Sequence, residues 1–430
     1  MIIHVVQEGD TIAALADQYN ISVTRLVHDN GLENIQQLIL GQTIVISQPE
    51  RTYTVQEGDT LQKIADINGI PLIQLIRNNP YLCQRDYIYP GEILVISYDN
   101  SQGKISTNCF ANSFININRF GIILPLLSYI SVFGYKTVDS ANILEIDDED
   151  IIRLAKEYKV TPIMVLATST NKGRESYEAI FHILYNKELI DKHIENILSI
   201  LHRKGYQGLN ISYQYINEKN RQVYEDYTEK LAARLKQEGF LVFITFSEHF
   251  IKNEDRITFE KTNLMKIGKL VDGITLLNYS WGYSFDPPGP VISAYMIIEY
   301  LNYMIQHIPP EKIEVGIPII GYDWELPYII GVTRANSLTL DSALALASDV
   351  GATIQFDEVS KTPYFNYVIY KDGIPRNHVV WFIDSRTIDA ILNIIKDYGL
   401  RGPGIWTIMN CYPQIRQVMN SQYNIETLDS

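Results

Sequence analysis

The run Gly208-Leu209-Asn210-Ile211-Ser212-Tyr213-Gln214-Tyr215 alternates polar residues with apolar or aromatic ones. Read as a β-strand, it places Asn210, Ser212 and Gln214 on one side and Leu209, Ile211 and Tyr213 on the other, because successive strand side chains point to opposite faces. Amides and hydroxyls donate and accept hydrogen bonds, but neither gives up a proton to a leaving group or carries negative charge at neutral pH. Three such groups in a row on an inward face suit either the orientation of a polar group in a site or a buried ladder satisfied by its own neighbours. Trp281, Asp323 and Trp324 fall at what read as carboxyl ends of other strands. Aromatic faces with a few convergent polar groups can bind ligands without any catalysis, and tryptophan at such places also serves as plain core.

The elements around these residues alternate. Candidate strands are Cys109–Ile115, Leu127–Phe133, Pro162–Ala167, Gly208–Tyr215, Leu241–Phe246, Gly273–Tyr279, Ile313–Ile320 and Gly404–Ile408. Helical segments such as Asp148–Glu157, Lys187–Lys204, Arg221–Gln237 and Ser293–Gln306 stand between them. Eight strands with intervening helices over residues 108–425 fit an α/β fold of the (β/α)8 TIM-barrel type, in which chemistry sits at the carboxyl ends of the strands. Residues 325–386 are too long for a simple connection. They predict a small α+β insertion, with Leu338–Val350 helical and Thr353–Phe356, Tyr364–Ile369 and His378–Phe382 extended.

An internal repeat precedes the barrel. Val6-Gln7-Glu8-Gly9-Asp10-Thr11 recurs as Val55-Gln56-Glu57-Gly58-Asp59-Thr60, and each copy continues into two helical stretches and a short strand, Thr43–Ile46 or Ile93–Ile96. Thr11 and Thr60 are placed as helix N-caps after a Gly-Asp turn. The units, residues 1–48 and 52–98, closely resemble LysM modules, down to Asn30 and Asn79 after the second helix and the Gly41-Gln42 and Gly91-Glu92 turns. That resemblance implies a βααβ fold and binding to peptidoglycan or another N-acetylglucosamine polymer through the loops flanking the helices. Gly9, Asp10, Thr11 and Asn30, with Gly58, Asp59, Thr60 and Asn79, are the implied contact positions. Residues 99–107, polar and containing Gly and Ser, read as a linker.

The barrel resembles glycoside hydrolase family 18, in the branch that includes spore cortex-lytic N-acetylglucosaminidases, which also carry tandem N-terminal LysM modules. The resemblance rests on Gly208–Tyr215 followed by Arg221, on Leu276 to Tyr283 and on Pro309–Ile313 with Gly316-Ile317-Pro318. It extends through Gly321 to Tyr328, Ala352 to Glu358 and Tyr398 to Gly402. In that family acidic residues alternate along the fourth strand and end in the general acid. The Asp two places earlier orients the substrate's N-acetyl group, whose carbonyl oxygen is the nucleophile. Here Asn210, Ser212 and Gln214 hold the alternating positions, and Ser280 stands where an Asp is expected after Tyr279. The resemblance assigns Tyr279 to the N-acetyl oxygen and Trp406 to the floor under the sugar. Trp281, Asp323 and Trp324 complete the implied pocket, while Glu218, Asp323 and Glu358 are the acids that could stand in for those lost.

Composition bounds the rest. Hydrophobic content of 46% and charged content of 20% are those of an ordinary globular chain. A formal charge of −14, with twelve acidic and five basic residues among the first hundred, argues against nucleic acid. Cys83, Cys109 and Cys411 are widely spaced and form no metal-binding pair, and nothing calls for a metal or cofactor. No signal-like opening and no run of about 18 apolar residues is present, so neither Sec-type export nor a membrane span is expected. The reading is a non-cleaving family 18-like protein of the spore envelope, made in the mother-cell cytosol and bound to glycan, envelope proteins or itself. Its alternatives are an active cortex N-acetylglucosaminidase and a self-assembling protein of the coat or exosporium.

Overall fold

Eight parallel strands close into a barrel: Asn108–Asn112, Tyr129–Thr137, Thr161–Ala167, Gly208–Tyr213, Leu241–Phe246, Gly273–Leu276, Ile313–Pro318 and Gly402–Trp406. The first pairs with both the second and the eighth, which completes the ring. The structure, a computed structural model, describes the chain except residues 34–36, 86, 100, 168–177, 214–215, 247–249, 253–256, 260, 278–283, 410–411 and 428–430. Helices cover the outside, and their ends are written in the sequence. Lys187–Lys204 begins where the Asn186 side chain accepts from the Glu188 and Leu189 amides and stops at left-handed Gly205; its last turn carries His202, Arg203 and Lys204, complementing the helix dipole.

Between the seventh and eighth strands lies a five-stranded antiparallel sheet, in the order Asn336–Leu338, Gly321–Leu326, Ile374–Trp381, Thr362–Lys371, Gln355–Asp357, with helix Leu340–Asp349. The insertion therefore starts at Gly321, four residues earlier than the chain length alone suggested. Gly321–Leu326 pairs with Ile374–Trp381 and so belongs to the insertion sheet, not to the end of barrel strand seven.

Each N-terminal module is a two-stranded sheet with two helices: Ile2–Val5, Ile12–Gln18, Val23–Asn30 and Thr43–Ile46, then Arg51–Thr54, Leu61–Asn68, Leu72–Asn78 and Ile93–Ser97. Both modules pack on the barrel. The helix Pro413–Asn420 lies against them, with Gln414 bonded to Thr43 and Asn30 of the first module and Asn420 to Asn78 and Arg77 of the second. The linker, residues 99–107, is tied at both ends. The Tyr98 hydroxyl just before them is buried and accepts from Arg25 and Gln417, while Lys104–Ile105 pairs with Asn424–Ile425.

The same glycine serves two surroundings in the two modules. Gly41 (φ +82°) lies so close to the insertion that a Cβ there would overlap the Ile354 carbonyl oxygen, whereas Gly91 (φ +87°) faces open space. Alanine at either site is strained by about 1–2 kcal/mol through its positive φ. Gly41→Ala must also push the module off the barrel. Thermal unfolding is expected to drop several degrees more for Gly41→Ala than for Gly91→Ala; equal drops would show that the close approach costs nothing.

Candidate functional site

The barrel interior is layered. At the amino end Tyr129, Ile163 and Phe243 pack together, and the Arg401 guanidinium lies over the Tyr129 and Phe243 rings at 5.0 and 4.9 Å. Above it sits a polar layer. Ser131 donates to Asn108 (2.9 Å), and Asn108 and Thr275 donate to Glu314 at 2.9 and 2.7 Å. Thr245 donates to Asn210 at 2.9 Å, while the Asn210 amide nitrogen is buried with no partner among the described residues. The top layer is apolar, built from Phe110, Phe133, Val165, Leu277 and half-buried Trp406, whose ring meets Phe110 at 5.3 Å and Phe133 edge-on at 5.2 Å.

Strand alternation brings Asn210 and Ser212 to this interior, with Leu209 and Ile211 in the outer core against the helices. Ser212 is buried at the carboxyl end of strand four, opposite Thr245. Trp406 ends strand eight, so the structure brings Ser212 and Trp406 to the same end of one barrel. Gln214, Tyr279, Ser280 and Trp281 lie outside the described residues.

Two other aromatic-pocket candidates stand elsewhere. Trp324 is completely buried in the insertion among Ala335, Val379 and Tyr322, and donates its indole N–H to the Asp286 carbonyl at 2.8 Å. No face of its ring is open to a sugar. Asp323, on the opposite face of that strand, accepts from the Tyr367 hydroxyl at 2.9 Å and pairs with His378 Nδ1 at 3.0 Å. The other possible stand-in acids are exposed and paired. Glu218 is exposed beside Arg221 and accepts from the Asn263 amide, and Glu358 is exposed beside Lys361.

In the modules, Thr11 and Thr60 cap their helices, accepting from Ala14 at 3.1 Å and Lys63 at 3.2 Å. Asp10 accepts from the Gln7 amide and pairs with His4 Nε2, each at 2.8 Å; the amide bond above all lowers its pKa. Asp59 accepts from the Gln56 amide and the Tyr53 hydroxyl at the same distance, with the same consequence. Gly9 and Gly58 are exposed turn residues with positive φ. Asn30 and Asn79 differ from the expectation of glycan contacts. Each is buried and fastens the end of the second helix to the closing strand, Asn30 through Val45 and Leu26, Asn79 through Val95 and Leu75. These bonds tie both side chains into the module, and the Asn30 oxygen also accepts from Gln414 of the docked helix at 3.1 Å.

The description Glycosyl hydrolases family 18 matches residues 115–410, and LysM domain matches residues 4–47 and 53–97. The chain belongs to glycoside hydrolase family 18. It is 29% identical to the cortical fragment-lytic enzyme of Bacillus subtilis (strain 168), covering 99% of both chains. The crystal structures of the spore cortex-lytic enzyme SleL from Bacillus cereus and Bacillus megaterium QM B1551 superpose with a TM-score of 0.80 each, at 26% and 25% identity. Each match covers 99% of both chains. Within this family 18 barrel, sequence reasoning missed Glu314. Its signal was present, since Ile313-Glu314-Val315 sets one acid between apolar residues that face the outer core, but no motif marks it.

Burial raises the pKa of Glu314, against the opposing pull of Arg401, whose Nε lies 3.7 Å away. A carboxyl group raised in the folded state contributes its stability below its unfolded pKa of about 4.3 and loses it as pH climbs through the folded value. Unfolding temperatures of Glu314→Gln and the unmodified chain, compared between pH 4.5 and 8, are therefore expected to shift in favour of the glutamine variant as pH rises. A constant or opposite difference would mean that the Arg401 charge dominates.

Proposed function

We propose that this chain binds N-acetylglucosamine-containing glycan, of the peptidoglycan or spore-cortex kind, without cleaving it, as a component of the spore envelope. Ser212 carries the reading: it occupies the inward carboxyl end of strand four, where the family places the Asp that assists the acetyl nucleophile. Gln214 follows it two residues later in the place of the proton donor. An amide has no proton to give, and a hydroxyl supplies no charge to stabilise a cationic intermediate. Glu218, Asp323 and Glu358 are engaged elsewhere, and Glu314 lies in the buried polar layer above Arg401. Trp406 on Phe110 and Phe133 still offers an aromatic floor.

Release of reducing ends from chitin oligosaccharides and cortex fragments tests this directly. The protein is expected to match a boiled control. Turnover within about a hundredfold of an active relative would overturn the reading, because loss of general acid catalysis alone costs roughly 10²–10⁴-fold. Self-assembly is a second reading, supported by apolar side chains exposed together around the insertion, Phe285, Ile329, Ile330 and Val332. Concentration-dependent association without glycan, followed by sedimentation, would favour it. No helix among the described residues is long and apolar enough to cross a membrane.

A further inference from the structure

The two modules share a fold but not a surface. In each, the turn before the last strand is hydrogen-bonded beside the first loop: Gly41 N–H donates to Val6 and Val6 to Gln42, and Gly91 donates to Val55 and Val55 to Glu92. The two loops of each module therefore lie edge to edge, and in both the side chain three residues after the turn begins closes it in the same way. Gln42 accepts from the Ile39 amide and Glu92 from the Tyr89 amide.

Beyond that equivalence the surroundings diverge. In the first module the Leu40 carbonyl accepts from the Ile354 amide at 2.9 Å, the Gly41 carbonyl accepts from Arg386, and Gly31 backs onto Pro413. Thr43 at the end of this turn is 2% exposed; its counterpart Ile93 is 62% exposed. In the second module the corresponding stretch carries Tyr87 and Tyr89, 57% and 58% exposed, set edge to face at 5.2 Å. The Arg85 guanidinium lies among them, 5.1 Å from the Tyr81 ring and 5.8 Å from each of Tyr87 and Tyr89, with its charge held by Glu92. Exposed rings braced by a neutralised cation suit the apolar faces of a neutral sugar.

We propose that the modules divide their work: the second engages glycan through Tyr87 and Tyr89, while the same loop of the first is committed to holding the barrel. This inference rests on the proposed glycan binding and specifies where it happens. Docking explains the asymmetry physically, since a turn whose carbonyls are bonded to Ile354 and Arg386 cannot also close around a sugar chain. It also gives the pair a fixed orientation on the barrel in place of two independent anchors.

The test uses the full chain, titrated with soluble N-acetylglucosamine hexamer and co-sedimented with insoluble peptidoglycan. Tyr87→Ala with Tyr89→Ala should weaken both by tenfold or more, and Tyr87→Trp with Tyr89→Trp should hold within about threefold. Gln7→Ala with Glu8→Ala, in the exposed first loop of the first module, should stay within about twofold. All these sites are on the surface, and unchanged unfolding temperatures confirm that each variant folds. If the chain binds but the tyrosine-to-alanine pair has no effect, or the first-module pair loses as much, the division of work is overturned and glycan binding stands. If the unmodified chain binds neither ligand, the glycan reading itself falls.

Discussion

Restoring acids to the site, by Ser212→Asp with Gln214→Glu and with Ser280→Asp added, should return measurable hydrolysis of N-acetylglucosamine oligomers. The gain rests on general acid catalysis, worth roughly 10²–10⁴-fold, and on a charge that holds the acetyl nucleophile. Both strand-four changes are needed together. A Glu at 214 alone would have a proton to give but no partner to steady the intermediate, and groups that act as a unit are strongly non-additive. The surroundings favour the change at 212, because that side chain already points into the interior opposite Thr245, above the Asn210 amide, which has an unused donor. Two new carboxylates brought close together would repel each other and raise one pKa, as a general acid requires. Reducing-end assays against the unmodified chain measure the outcome. A triple variant that folds, binds the oligomers and stays inert would show that the missing acids are not the main defect.

The barrel was legible because its strands are apolar runs bounded by helices with strong periodicity. Lys187–Lys204 and Arg221–Gln237 match their expected ends to the residue, the first with an Asn186 side-chain cap and a left-handed Gly205 to mark them. The insertion was legible as an element but not at its edge, because Gly321–Leu326 reads as a continuation of Ile313–Pro318 until its antiparallel partner Ile374–Trp381 is known. The same ambiguity made Trp324 look like a pocket residue; its burial depends on Ala335 and Val379, which lie far along the chain. Asn30 and Asn79 sat at conspicuous positions after a helix, and only the long-range bonds to Val45 and Val95 identify them as fasteners. Contacts between modules and barrel carry no local signature. A glutamine such as Gln414 looks like surface in sequence and is completely buried in the fold.

Gln414→Leu combined with Asn420→Leu should release both modules from the barrel. Gln414 bonds the Thr43 hydroxyl at 3.1 Å, the Thr43 carbonyl at 2.6 Å and the Asn30 side chain at 3.1 Å. Asn420 reaches Asn78 at 3.0 Å and the Arg77 carbonyl at 3.4 Å. Leucine keeps the approximate volume but leaves those buried partners unmet, which costs about 1–3 kcal/mol for each group stranded. The double variant is therefore expected to unfold on the order of 5 °C or more below the unmodified chain. At about 2–4 °C per kcal/mol, and less in a longer chain, a single loss would be harder to see. Proteolysis should move with it, because Tyr98, just before residues 99–107, is held both by Arg25 of the first module and by Gln417 of the docked helix. Modules of this size bury too little surface to be robust alone, so once undocked they should be cut before the barrel. Unchanged melting and an unchanged protease pattern would mean that the apolar contacts of Ile39 and Val45 with the barrel hold the modules without help from the amides.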